Sequence, residues 1–483
     1  MNPSSPALER WNRTLLLAPV LAVTMGVVLV FSGSLTAIVG GIAGAYAYLL
    51  LGVASRRQPM IFALVFLLTL EILPPFYFSQ LGELPVFVSF FLLPIALVIV
   101  MTRFHEMHFE WDSVAKGLAI FLAGTSLSIP FAFWLSGMSV GLDSLSRWIL
   151  LSHAALAFYL IRGGAWWEAS RTERQVPRLL VAGAVLSAAY GILDFIWPIP
   201  LQHPAADQFI WLNGTVLRRA QGVFYESSNF GNFCAFFLIA CGIAFLSRRE
   251  RYLGFPRLLL IASISILSLA VLVAFSRSTW VSLIVALFVS LALSGRVKLS
   301  RIMIVFGAAA VPIILLWTLS PELWSYLVNA RVGQVINIFD DPNFATSGRF
   351  DTWIRVLSIM RDQPQYLLFG IGYKTLAITR LFHGEIITDN GYLSLLLETG
   401  IAGLAGFLVL SGAILRTFFR LAHSANETLA FWATVLFSIW CGELVQLLAT
   451  DAYTYWRNIV IFAALMAWTL NLAERAEASG KSE

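Results

Sequence analysis

The chain has 483 residues, 59% of them hydrophobic and 12% charged, with a mean hydropathy of +0.80. Soluble proteins carry about 25% charged residues, so this composition excludes a soluble fold and describes a chain threaded many times through a membrane. The net charge of +5 calls for no nucleic acid, because cytoplasmic loops of membrane proteins gather Lys and Arg.

A spanning helix needs roughly 20 apolar residues. Fourteen runs qualify, at 14–31, 34–54, 59–75, 85–101, 114–136, 145–161, 178–197, 223–246, 257–275, 279–293, 301–318, 391–415, 428–449 and 457–472. The expected fold is an all-α polytopic membrane protein, one integral domain over 1–483, with no internal repeat. The N-terminal helices occupy 14–197 and the C-terminal helices and tail 416–483. The first apolar run lacks a small-residue cleavage site and leads into another span, so no cleaved signal peptide is expected. Cys234, Cys241 and Cys441 fall in apolar runs, with no metal-type spacing and no disulfide framework.

Lys and Arg set the orientation. Arg56 and Arg57, the cluster Arg162–Arg178, Arg248–Arg257, Arg296–Arg301, Arg416 and Arg420 all fall on one side. That side is read as cytoplasmic, with both termini, and the long polar interval 319–390 lies outside, between the eleventh and twelfth spans. Arg147, Arg218, Arg219, Arg277 and Arg457 remain in short outer segments. Arg147 and Arg457 read as snorkelling helix ends. Arg219 and Arg277 read as functional, since little loop is present to solvate them. Glu71, Asp194, Glu226, Glu398 and Glu443 fall in the outer halves of their helices. Acids and arginines together suggest a polar chamber open to the outside.

Two helices are expected in the outer loop. Ser320-Pro321-Glu322 has the chemistry of a helix start. The second starts near Ser347, with Phe350, Trp353, Ile354, Leu357 and Met360 on one face, and Pro364 ends it. Asp340-Asp341 is an adjacent acidic pair, read as solvated charge; no metal and no cofactor are expected.

Three stretches carry the chemistry: Arg219-Ala220-Gln221-Gly222-Val223-Phe224-Tyr225-Glu226-Ser227-Ser228-Asn229, then Phe275-Ser276-Arg277-Ser278-Thr279-Trp280, then Ser347-Gly348-Arg349 through Thr388-Asp389-Asn390-Gly391-Tyr392-Leu393 to Glu398-Thr399-Gly400-Ile401-Ala402-Gly403. In order and spacing, residues 215–415 resemble the O-antigen polymerase and O-antigen ligase superfamily of bacterial membrane glycosyltransferases. The resemblance makes 198–415 the core. It implies transfer of a saccharide from undecaprenyl pyrophosphate on the outer face of the cytoplasmic (inner) membrane. The acceptor is another lipid-linked repeat unit in a polymerase and lipid A–core in a ligase. Membrane lipid surrounds the site, and a chain-length regulator is a candidate partner.

Arginine suits the departing diphosphate, because its planar fork matches phosphate oxygens. The resemblance makes Arg219, Arg277 and Asp389 the catalytic candidates. Arg349, Arg218, Glu226, Asn229, Asn390, Tyr392 and Glu398 are the substrate-binding ones. For Arg349 a structural salt bridge with Asp351 or a phospholipid headgroup contact is the alternative, and for Asp389 and Asn390 a helix cap. Ligase-like members carry His immediately before the Asn of the closing motif; this chain has Asp389, which favours a polymerase. His383 lies six residues earlier without an assigned role. A ligase remains the second reading. A transporter of lipid-linked oligosaccharide is the third, but it predicts charges near the midplane and two similar halves, and the sequence has neither.

Overall fold

The computed structural model describes residues 51–52, 59–74, 76–77, 85–107, 110–163, 172–197, 209–212, 215–224, 226–293, 299–319, 321, 325, 348–379, 381–382 and 386–480. The expected spans 14–31 and most of 34–54, the helix start at Ser320, the Asp340-Asp341 pair and His383 lie outside them. The chain is helical. The helices are α1 Pro59–Ile72, α2 Val88–Arg103, α3 Ser113–Ser126, α4 Ile129–Arg162, α5 Thr172–Ile196, α6 Ser227–Leu246, α7 Arg257–Val273, α8 Arg277–Leu293, α9 Leu299–Leu319, α10 Arg349–Asp362, α11 Tyr366–Phe369, α12 Gly391–Ala422, α13 Glu427–Gln446 and α14 Trp456–Gly480. Two short antiparallel ribbons interrupt them, β1 Phe76–Tyr77 with β2 Pro85–Val86 and β3 Phe209–Leu212 with β4 Thr215–Arg218.

Among the described residues six helices, α4, α5, α6, α12, α13 and α14, are long and apolar enough to cross a membrane. Parts of α1, α2, α3, α7, α8 and α9 are apolar but shorter. Fourteen full spans are therefore not established among the described residues. One reason is that two apolar runs bend where hydropathy runs on unbroken. The run 114–136 stops at Ser126, and α4 restarts with Pro130 in its first turn. Proline lacks the N–H and clashes with the carbonyl four residues back. Helix α4 turns again at Gly137, at φ 87, and absorbs the expected span 145–161. Helix α12 turns at Gly400, at φ 68 and ψ −171.

The break at Gly400 frees backbone carbonyls inside the bundle, and the outer loop satisfies them. Ile371 N–H donates to Leu397 O at 3.2 Å and Gly372 N–H to Glu398 O at 2.9 Å. These replace the bonds the continuing helix would have made, as irregular backbone at membrane depth requires. A side chain at Gly400 would strike the Leu368 carbonyl, and one at Gly370 the Glu398 carbonyl.

Beyond the break, α12 lies against α3 on glycines from both helices. A Cβ at Gly117 would come within 2.9 Å of Leu410 Cα, and one at Gly406 within 2.8 Å of Phe121 Cα. Small residues permit this backbone approach, which supplies van der Waals contact that lipid cannot. Helix α6 is apolar all round and buried on every side, against α5, α7, α8 and α13.

The outer loop has its own small core of Val356, Met360, Ile371, Leu376, Phe382, Ile386 and Leu397. Helix α10 ends before Pro364, as expected, but turns a different face inward: Val356 and Met360 are buried while Phe350, Ile354 and Leu357 are exposed. At the far end of the bundle Arg162 bonds Asp112 at 3.1 Å, Glu110 and Glu474, and Arg301 donates to Leu246 O at 2.7 Å.

Candidate active site

The opposite end of the bundle is built from the N-terminal ends of α6, α8, α12 and α14, capped by the loop. Arg219 follows β4. Ala220 N–H donates to Val273 O at 3.0 Å, tying the strand end to α7. The Arg219 Nε donates to Ala274 O at 3.0 Å and its Nη2 to Ser228 Oγ at 3.3 Å. The guanidinium is thus fixed between the end of α7 and the start of α6.

Arg277 opens α8. The turn before it runs through Phe275 at φ 50, a conformation costly for a side chain-bearing residue. Buried Ser276 supports the turn, accepting a bond from Thr279 Oγ1 at 2.9 Å. Arg349 opens α10 after Gly348 at φ 81. Its Nε donates to Asp389 Oδ2 at 2.9 Å. Asp389 is itself at φ 44.

These groups converge. Arg219 is in electrostatic contact with Tyr455, Glu226, Arg349 and Asp389, and Arg277 with Arg349. Burial pulls the Arg219 guanidinium down to about 10, and Arg349 pulls the same way, while Tyr455, Glu226 and Asp389 pull back. It stays charged at neutral pH. Burial raises the Glu226 carboxyl above its ordinary range, with Asp451 and Asp389 adding to the rise and Lys374 and Arg219 opposing it.

Not every candidate faces this cluster. Arg218 pairs with Asp194 at 3.0 Å. Asn390 is the cap of α12, accepting from Tyr392 N–H at 3.2 Å and Leu393 N–H at 3.1 Å. Asp389 is thereby left to Arg349. Tyr392 turns its hydroxyl to Leu444 O, 2.8 Å away on α13. Glu398 is buried and holds the loop, accepting from Lys374 N–H and Leu376 N–H, each at 3.0 Å, and from Tyr453 OH at 2.8 Å. Asn229 is buried beside Asn458, which donates to its carbonyl at 3.2 Å.

The snorkelling reading of Arg147 and Arg457 is corrected. Arg457 is 3% exposed. It donates to Leu70 O and Val223 O and lies against the rings of Phe87 and Phe224. Arg147 donates to the Lys374 carbonyl. The acids also divide. Glu226 interacts with Lys374 and Arg219, Glu443 accepts from Asn232, and the carboxyl of Glu71 is buried against α5 with no hydrogen-bond partner among the described residues.

Two charged residues of the cluster carried no motif. Lys374, at φ 57, lies 3.7 Å from Asp451 in the turn between α13 and α14. Burial disfavours the Lys374 ammonium, yet Asp451, Glu226 and Glu398 raise it overall. The one sequence signal for Asp451 is the polar, aromatic stretch Thr450-Asp451-Ala452-Tyr453-Thr454-Tyr455 between two apolar spans.

Below Arg277 an apolar cavity of about 580 Å³ runs between α6, α7, α8 and α9, from Trp280 past Leu283 and Leu287 to Leu291. Gly242 lines it, and a Cβ there would meet nothing within 4 Å.

Residues 261–408 match the family model described as O-antigen ligase. Over that stretch the chain is similar to the O-antigen polymerase and ligase superfamily. No curated protein matches it. The superfamily match begins within α7 and ends within α12, so it takes in Arg277, Arg349, Asp389 and the break at Gly400. Arg219, Glu226 and Asp451 lie outside it, and the fold brings them to the same end of the bundle.

Proposed function

We propose that the protein is a bacterial cell-surface polysaccharide polymerase. It transfers a glycan from undecaprenyl pyrophosphate to the end of another lipid-linked repeat unit, on the outer face of the cytoplasmic membrane. The observation that carries this reading is that Arg219 and Arg349 both interact with one carboxylate, Asp389, while Arg277 lies within electrostatic reach of Arg349. The superfamily supports glycosyltransferase-type chemistry, and these residues are suited to it.

The donor's diphosphate sits against Arg219 and Arg277, which stabilise charge as it develops on the departing oxygen. Its hydrocarbon chain lies in the cavity below Trp280. An acceptor hydroxyl attacks the anomeric carbon. The bond from that carbon to the diphosphate oxygen breaks, and its electron pair leaves with the diphosphate. Asp389 takes the hydroxyl proton, and Arg349 fixes the carboxylate in place. The arginines fill the role a divalent cation plays in other transferases. The Lys and Arg bias supports an outward site and cytoplasmic termini.

A ligase is the second reading, favoured by the description of the matching family model. Purified protein in vesicles separates the two. Given donor alone, a polymerase builds a ladder of lengthened lipid-linked glycans. A ligase leaves donor unchanged until lipid A–core is added. Movement of donor across the vesicle with no new glycosidic bond would instead establish the transporter.

A further inference from the structure

Asp389 occupies a left-handed conformation, at φ 44. A residue with a side chain stays there only where its surroundings over-determine it. Those surroundings are visible on both sides. The Thr388 carbonyl accepts from Trp353 Nε1 at 2.7 Å. On the other side, Gly391 N–H donates to Leu447 O at 2.7 Å and Asn390 caps the helix. The Thr388 hydroxyl bonds Ser394 Oγ, and Ser394 Oγ donates to Asp451 Oδ1 at 2.8 Å. Thr388 and Ser394 are each 1% exposed, so water cannot replace these bonds.

A serine hydroxyl has a single proton. Ser394 gives its own to Asp451, and the Thr388 hydroxyl is also hydrogen-bonded to Asp451, so this one carboxylate holds both hydroxyls. The other oxygen of Asp451 faces Lys374 Nζ at 3.7 Å. Lys374 is anchored in turn through its backbone, by Glu398 to its N–H and Arg147 to its carbonyl.

We propose that Asp451 is a positioning residue for Asp389, acting through Ser394 and Thr388. Both its oxygens are engaged in holding this geometry. The inference rests on the transferase reading of Asp389 and extends it to a turn outside the family match.

The test is a double-mutant cycle on the full chain in vesicles, with transfer from the lipid-linked donor as the readout. Asp451→Ala and Ser394→Ala should each lower kcat by about 10- to 100-fold, the size expected for a displaced catalytic group. The donor KM should stay within about twofold, as for an interaction that matters only in the transition state. Asp451→Asn keeps an acceptor oxygen for Ser394 and should recover most of the rate. In the Asp389→Asn background, Asp451→Ala should add no further loss. Losses that multiply would overturn the inference, and so would an Asn variant as slow as Ala. Should Asp451→Ala fail to fold, Ser394→Ala in both backgrounds carries the same cycle. Arg219→Ala is the control. If the wild type forms no new glycosidic bond, the transferase reading falls; if the wild type transfers and Arg219→Ala does not while the Asp451 and Asp389 losses multiply, only this inference falls.

Discussion

Arg349 and Asp389 meet at 2.9 Å, joining the first residue of α10 to the turn that starts α12. The pair is partly exposed, with side chains 26% and 38% accessible, and such pairs contribute at most about 1 kcal/mol to stability. Its effect is positional: it docks the loop's amphipathic helix onto the site.

Substitution of the half-buried Arg219 and Arg277 is expected to separate catalysis from folding. Arg219→Ala and Arg277→Ala should lower transfer by about 10²–10³-fold, the usual loss for one electrostatic donor. Lys should rescue poorly, since a point charge lacks the bidentate fork. Initial rates on purified, monodisperse variants check this, and full activity in both Lys variants would refute it. The wild type should keep its rate in excess EDTA.

Asp389→Gly should move stability and activity in opposite directions. Glycine adopts φ 44 without strain, which offsets the loss of an exposed ion pair. The melting temperature should therefore hold or rise while transfer drops about 10²-fold, as for a lost general base. A melting temperature several degrees lower would show that the conformation at Asp389 is not strained.

The Glu226 carboxyl is raised by burial, which fixes the sign of a pH effect. Its contribution to stability is full below the ordinary value of 4.5 and is lost as pH rises through the folded value. Glu226→Gln removes that loss. The melting temperature of the variant relative to wild type should be unchanged near pH 4 and increasingly higher toward pH 8. A difference constant with pH would contradict this.

Gly242 lines the apolar cavity with open space at its Cβ. Gly242→Phe should fold with an unchanged or higher melting temperature, as cavity-filling changes often do. It should raise the KM for a long-chain lipid donor while sparing a short-chain analogue. Equal effects on both donors would remove the cavity from substrate binding.

Orientation can be read by labelling. With Cys234, Cys241 and Cys441 replaced, Gln365→Cys should react with an impermeant maleimide in intact cells, and Ala425→Cys only after lysis. Both residues are exposed. The reverse pattern would invert the bundle.

Hydropathy located most helix-forming segments, because apolar content alone determines which stretches enter a membrane. It could not locate the breaks. Pro130 and Gly400 sit inside apolar runs that read as uninterrupted, Gly137 lies just past the end of one, and backbone angle leaves no trace in hydrophobicity. Pro130 and the glycines were nevertheless visible as letters, and their chemistry was the available signal. The arginines were legible because a charge beside a short outer loop is costly and needs a reason. Lys374 and Asp451 were not, since each is an ordinary loop residue until the fold sets them 3.7 Å apart. Arg457 misled for the opposite reason: a helix-end arginine looks solvated until aromatic rings and carbonyls close around it.

The turn at Gly400 also bears on how the protein matures. Leu397 and Glu398 present carbonyls whose donors, Ile371 and Gly372, belong to the loop made before them. Neither half is complete alone. A ribosome that has released the loop has not yet made the helix that receives it, and the turn carrying Asp451 emerges later still. The charged cluster is therefore assembled only once the last two helices have left the ribosome, so a stalled or truncated chain would sit in the membrane without a working site.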